Sequence, residues 1–458
     1  MPPRPQRRSL AVYILCFICI CTGLLLPRAA SADDLLQVYN AAREHDADLQ
    51  SARALLRSAQ PRAAQADALL RPSVNATGSS TRATINQSSS GSDLADGGGS
   101  ARTTTSSLNL TLRQPLFNLA ASTDVAKAKN ALEVARTEFE ITEQEFIVRV
   151  AQAYFDVLSA QDILAATRSS KVSLAGQLAS ATRNYGVGTA IITDVRDSQA
   201  RYDLVLAQEV SAENDLRVRQ LLLDRLVGRR NVAPNPLAVP VVLPPIVPGD
   251  ASAWVDAATV HPGIRRARLA LQAAELDSRR AKSAHLPTID AVGAVGRNRV
   301  AASGSVAPGT FVAGTTRNSS VGIELNLPLF AGYSTQNRIR ETLSLEDKAQ
   351  FDLQATRNSV ADAVQRAYFD LQSGQSQVRA LEVAEASGTL SLEGTQLGYR
   401  AGVRLNLDVL NAQVLVFQTR RDLAKARYDV LMGSLKLRLA SGQLSPDDVS
   451  AMNRLLAR

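Results

Sequence analysis

Two short groups of residues, alike in type and spacing, set the chemical question: Thr193, Asp194 and Asp197 in the first half of the chain, and Tyr399, Arg404, Asp408 and Asn411 in the second. Asp194 and Asp197, like Asp408 and Asn411, stand three residues apart, a spacing that puts both members on one helical face. Thr193, Asp194 and Asp197 follow one glycine-bearing turn and Arg404, Asp408 and Asn411 follow another, each near the start of a helix-like stretch. Two readings stay open on the residues alone: the acids serve the electropositive start of a helix, or they hold a cation or a basic side chain. Other chemistry finds little support. His45, His261 and His285 have no cysteine or carboxylate at zinc-ligand spacing and read as surface or helix-end residues. Gly186-Val-Gly-Thr-Ala-Ile lacks the third glycine and the preceding strand of a dinucleotide loop. No serine sits in a nucleophile elbow. No catalytic residue, metal site or cofactor is expected.

The elements that must position these groups come in two copies. Asp46 to Gly78 aligns without gaps on His261 to Gly293, Pro115-Leu116-Phe117 matches Pro328-Leu329-Phe330, and Ala153-Tyr154-Phe155-Asp156 matches Ala367-Tyr368-Phe369-Asp370. Tyr185, Gly188, Asp194, Val195 and Gln199 match Tyr399, Gly402, Asp408, Val409 and Gln413. An offset held near 214 residues marks duplication of one large unit, not a solenoid of small repeats. The copies are 33–230 and 251–442, joined by a proline-rich extended connector at 231–250 and followed by a tail at 443–458.

Each copy repeats one order of parts. The stretches 33–70 and 251–285 read as helix. Next come the hairpins 72–117 and 287–330. There Leu108, Leu110 and Leu112 alternate with polar residues, as do Val321, Ile323, Leu325 and Leu327. This predicts strands of about ten residues joined by long exposed Ser/Thr/Gly loops at 79–105 and 297–318, the alternation of a transmembrane barrel wall. Then 117–184 and 330–398 run without an internal proline, each roughly 100 Å long as one helix. Leu132, Phe139, Phe146, Ala153 and Ala160 recur every seven residues, as do Leu353, Val360, Ala367 and Gly374, which predicts coiled-coil packing. Shorter helices return to Gly228 and Gly442 after turns at 186–189 and 400–403. Tyr154-Phe155 and Tyr368-Phe369 read as seam packing before any ligand groove.

Composition narrows the class. Of 458 residues 45% are hydrophobic and 4% aromatic, with a mean hydropathy of −0.06. The sole long apolar run, Ala11 to Leu26, is too short to span a bilayer. With Arg4, Arg7 and Arg8 before it and Ala30-Ser31-Ala32 after, residues 1–32 read as a secretory signal. Its removal takes all three cysteines, Cys16, Cys19 and Cys21, and lowers the net charge from +8 to +4, leaving 47 basic against 43 acidic residues. That balance, interleaved along helices, does not describe a nucleic-acid binder. Four strands cannot close a barrel, so self-association is expected.

Taken with the paired motifs Asn184-Tyr-Gly-Val-Gly-Thr and Gly398-Tyr-Arg-Ala-Gly-Val-Arg, this order of parts resembles the TolC family of outer-membrane export channels over essentially the whole mature chain. The resemblance implies an α+β membrane protein: a homotrimer with a 12-stranded outer-membrane β-barrel, four strands per subunit, and a long periplasmic α-helical coiled-coil barrel. It implies no enzyme, but the exit duct of a tripartite system with a periplasmic adaptor and an inner-membrane ABC or proton-driven transporter, seated in outer-membrane lipid. It assigns Tyr399 and Arg404, tied to Thr193 and Asp194, as closing bonds at the periplasmic entrance. The implied entrance ring is Asp408 with Asn411, and Asp194 and Asp197 alongside. Asn411 stands where the family has a second aspartate, a charge for which Asp197 is the candidate source. The rival reading, a structural periplasmic coiled coil without a pore, is opposed by the alternating segments. Protein secretion and drug efflux both remain open, the missing lipid-anchor cysteine tilting toward secretion.

Overall fold

The computed structural model describes residues 33–87, 99–238, 240–304 and 313–457; the expected signal segment and the tips of both hairpins lie outside them. In chain order the first repeat holds α1 (Leu35–His45), α2 (Ala47–Asp67), β1 (Ser73–Gln87), β2 (Gly99–Phe117), α3 (Leu119–Gly186) and α4 (Ile192–Val227). The second holds α5 (Ala251–Ala257), α6 (Pro262–Ser283), β3 (Thr288–Gly304), β4 (Gly314–Asn326), α7 (Ser334–Arg400) and α8 (Asn406–Ala440), and α9 (Pro446–Asn453) follows.

Two expectations change. The helix expected over 33–70 is broken at Asp46, which leaves helical geometry and caps α2, its Oδ1 accepting from the Leu49 N–H at 2.8 Å. The second copy breaks at the matching place, where His261 caps α6 and Pro262 takes the first helical position. The strands also run well past ten residues, to 15, 19, 17 and 13, so much of each expected loop is ladder. Serine and threonine supply no apolar core, but a ladder needs only backbone groups, and hydroxyl pairs reinforce it: Ser79 with Ser107 at 2.7 Å and Ser80 with Ser106 at 3.2 Å.

The four strands form one antiparallel sheet in the order β1-β2-β3-β4, the two hairpins meeting at β2 and β3. Among the described residues, both outer strands, β1 and β4, are without a partner within the subunit. The 68-residue α3 and the 67-residue α7 follow directly from the two hairpins. Every heptad position named above is buried or half-buried, from Leu132 to Ala160 and from Leu353 to Gly374. Reciprocal ion pairs tie the repeats together, Lys127 of α3 to Asp277 of α6 and Arg280 of α6 to Asp124 of α3, each at 2.7 Å. Within the hairpins, Arg168 of α3 bonds Glu213 of α4 at 2.7 Å, and Glu382 of α7 bonds Arg427 of α8 at 2.8 Å. These are the same positions of the repeat with the charges exchanged.

Near the middle of each long helix a tyrosine grips the connector. Tyr154, fully buried, donates to the Asp33 carbonyl at 3.0 Å and accepts from the Asn235 N–H at 2.8 Å. Tyr368 donates to the Gly249 carbonyl at 2.6 Å. Each ring stands edge-on to the phenylalanine beside it; Tyr154, Phe155 and Tyr368 are buried in the seam as expected, whereas Phe369 is exposed, and the two tyrosines also clamp a belt around the seam. The tail joins this belt: Leu444, Val449, Met452 and Leu456 pack into one core with Leu35, Tyr39, Phe146 and Leu431.

His261 shows how tightly the repeats meet. Its Nδ1 accepts from the Gly263 N–H at 2.9 Å, and its backbone lies so close to Gly442 (φ +72°) that a Cβ there would come within 2.8 Å. Burial lowers the imidazole pKa, a hydrogen bond to the Leu439 backbone partly opposing it. A depressed histidine pKa favours the neutral form in the fold, so this stabilisation is present above the unfolded value of about 6.5 and is lost as pH falls through the folded one. Lowering the pH from 7.5 to 5 therefore reduces the melting temperature, and His261→Asn, which keeps a capping acceptor but does not titrate, flattens that dependence. Equal pH slopes in the two proteins would exclude the role.

Candidate functional site

The site forms where the two long helices turn back. Both turns close in the same way. Gly188 (φ +79°) and Gly402 (φ +77°) take the left-handed conformation that stops a helix. The Thr189 N–H then bonds the Asn184 carbonyl and the Val403 N–H the Gly398 carbonyl, each at 2.9 Å. The duplicated Gly-x-Gly and Ala-Gly steps are there for this geometry.

From these turns the sequence-assigned residues fall into place. Thr193 is exposed and Asp194 half-buried on the first turn of α4, and Asp197 is exposed on the next turn. Asp408 sits in the first turn of α8, its Oδ2 accepting from the Leu405 N–H at 3.2 Å, with Arg404 at 3.9 Å. Asp408 thus does serve a helix start, and with its side chain 39% accessible it also faces solvent. The structure does not bring Tyr399 or Arg404 to Thr193 or Asp194 within the subunit. The Tyr399 hydroxyl instead accepts from the Asn184 amide at 3.3 Å. Arg404 is exposed, and among the described residues its ion pair is with Asp408. Asn411 accepts from Arg201 of α4 at 2.7 Å, an amide doing across the hairpins what a carboxylate would do with more charge.

Sequence reasoning missed the residue at the centre. Asn406, the first of α8 and buried, bonds three ways across the tip: its amide donates to the Asp194 carbonyl (3.2 Å) and the Ser198 hydroxyl (3.1 Å), and its carbonyl accepts from Gln177 at 2.5 Å. The one available signal was a break in the duplication, since the matching residue is Ile192. The apolar support is small: Leu174, Val205 and Leu410, with Tyr202 against them. Nearby, the Oε1 atom of buried Gln413 has no partner among the described residues. A tip held by a few polar bonds and a small apolar cluster has a low local opening free energy.

At the other end the sheet sorts its residues by face. Val74, Leu108, Leu110, Leu112, Val321, Ile323 and Leu325 are exposed on one side. The other carries Asn75, Asn109, Thr111 and the pair Arg113 to Asp290, 2.6 Å apart. An apolar outside and a polar inside define the wall of a water-filled pore in a membrane.

A barrel wall continuous with long helices and a weakly held tip is the make-up of an outer-membrane channel. The comparisons agree. The family model described as outer membrane efflux protein matches residues 38–229 and 255–443, the two repeats, and the chain belongs to this family. It is 30% identical to the outer membrane protein TolC of Vibrio cholerae, over 93% of this chain and 95% of that one. It is also 30% identical to the alkaline protease secretion protein AprF of Pseudomonas aeruginosa, over 74% and 70%. The crystal structure of the outer membrane protein VceC from V. cholerae superposes with a TM-score of 0.74 at 18% identity, covering 89% of this chain and 96% of that one. The chain is thus an outer-membrane efflux channel, not an enzyme, with its strands in the outer membrane and its helices in the periplasm.

Asn406→Ala leaves buried partners unsatisfied at a cost of about 1–3 kcal/mol. The expected outcome is faster amide hydrogen exchange confined to roughly residues 184–200 and 400–412, with exchange in the belt around Tyr154 unchanged. Uniform acceleration along the helices would show that Asn406 supports the fold at large and not the tip.

Proposed function

We propose that three copies of this chain close a 12-stranded barrel above a helical tunnel, and that the assembly is the exit duct of a tripartite export system. The observation that carries this reading is the pair of unpartnered sheet edges, β1 and β4. In lipid each unsatisfied backbone group costs several kcal/mol, so β1 of one copy takes β4 of the next. Two copies would give eight strands, an interior just wide enough for side chains. Three copies are the smallest number that leaves a duct. The half-buried small residues of the long helices, Ala153, Ala367 and Gly374 among them, suit close side-by-side packing in a tunnel. An inner-membrane ABC or proton-driven transporter, joined through a periplasmic adaptor, supplies cargo and energy, and the similarity to AprF favours protein among the cargoes.

At the periplasmic end, Tyr399 and Arg404 hold the entrance through Thr193 and Asp194 of a neighbouring copy. Arg404 extends into solvent, free to reach a neighbouring copy. Asp408 contributes three carboxylates around the axis, with Asp197 near them and Asn411 engaged with Arg201. Carboxylates so close attract multivalent cations.

Two measurements on the channel reconstituted in planar bilayers test this reading. Tyr399→Phe combined with Arg404→Ser raises single-channel conductance several-fold; an unchanged conductance removes the closing bonds. Asp408→Ala weakens block by hexaamminecobalt(III) added from the periplasmic side by at least about tenfold. Block of the original strength would place the ring at another residue.

A further inference from the structure

The sheet register sets a second pattern on the lipid-facing side. Directly paired residues share a face, so Leu112, Gly293 and Val321 lie together, then Leu110 with Val295 and Ser319, then Leu108 with Arg297 and Arg317. Continuing toward the hairpin tips, the same face carries Arg299, then Arg82, then Arg102. All five arginines are exposed. Among the described residues this face has no aspartate or glutamate, both strand carboxylates, Asp290 and Glu324, lying on the lumenal side. Nor does any of the five have an ion pair among the described residues.

Their height is informative. The ten residues from Leu327 back to Arg317 rise roughly 25 Å at the tilt of barrel strands, the thickness of the apolar band. With the helices on the periplasmic side, Arg297, Arg299 and Arg317 fall at the outer-leaflet edge of that band. Arg297 and Arg317 are direct cross-strand partners, an opposition of like charges that costs stability unless an anion lies between them. A hollow of about 590 Å3 adjoins them, its lining including Leu108, Leu110, Val295, Arg297 and Arg317. Solvation alone would be met by any charged residue, whereas three guanidinium forks beside an apolar hollow match phosphate oxygens attached to acyl chains.

We propose that Arg297, Arg299 and Arg317 bind the phosphate groups of an anionic outer-leaflet lipid, one acyl chain lying over Leu108, Leu110 and Val295. The site rests on the outer-membrane barrel and gives the channel a lipid that fixes its depth and closes over the subunit surface.

The test uses the full-length channel in nanodiscs, with bound lipid counted by native mass spectrometry. The probe is bis-phosphorylated lipid A, set against the same lipid stripped of phosphate. The original chain retains the phosphorylated form at least tenfold better, and Arg297→Gln/Arg299→Gln/Arg317→Gln abolishes the preference. Should that variant fail to insert, the corresponding triple lysine variant, which keeps charge but not the fork, retains the lipid several-fold less well than arginine. Equal retention of both lipids, or an unreduced preference in the glutamine or lysine variant, overturns the site. Displacement by inorganic phosphate at equal concentration would make it a free-anion site and overturn it as well. Failure of the underlying channel reading is separately visible, as absence of conductance from the original chain in a planar bilayer.

Discussion

The backbone hydrogen bond, and the absence of water to replace it inside a bilayer, governs this molecule. A sheet of four strands leaves two rows of N–H and C=O groups open, about a dozen to an edge since every second residue points both groups outward. In water such edges are a nuisance; in lipid they are prohibitive. The chain cannot lengthen its own sheet, because each hairpin is followed within eight residues by a helix of almost 70 residues. On the proposed assembly, satisfaction comes from other copies, and with it the neighbours against which the long helices lie. On this argument the tunnel is a by-product of closing the barrel.

What is stable and what is mobile then divides along the helices. Tyr154 and Tyr368 stand near the midpoints of α3 and α7 and fasten them to the connector through buried hydroxyls. Around them lie the two large cores. Below, toward the turns, apolar support thins to Leu174, Val205 and Leu410, and order depends on amides and hydroxyls. A polar tip can exchange partners with water at little net cost, whereas an apolar one would have to expose its surface to move. On the proposed function, the composition of the last turns lets an entrance open without unfolding the tube.

How much of this could be read in advance follows from the range of each signal. The duplication, both hairpins and the long helices are written in local patterns, alternation, heptads and glycine turns, each visible within a few tens of residues. Strand length was under-read because Ser and Thr stretches such as 99–107 are polar on both faces, so no period shows where ladder ends and loop begins. The helix break at Asp46 was hidden for the same reason, a single capping side chain among good helix formers. The tip was half legible. Asp408 announced itself by its place after a turn, but its partner at the helix start is a backbone group. Asn406 meets Gln177 and Ser198 from more than 200 residues away, which no local pattern encodes. The family resemblance supplied the residues of the closing contact without their geometry, which within one subunit runs from Tyr399 to Asn184.

A duplicated chain has a problem that a single-copy one does not: each long helix has a sibling of matching length and pattern and can take the wrong return helix as its hairpin partner. The exchanged ion pairs act as an address. Were α3 to take α8 as its hairpin partner in the register it holds with α4, Arg168 would meet Arg427, and were α7 to take α4 in the same way, Glu382 would meet Glu213. Each correct pair is worth little by itself at a wet surface. Selection between two folds, however, depends on the difference between attraction and repulsion, and mispairing incurs both losses at once. Two charges reversed since duplication keep each half of the protein to its own hairpin.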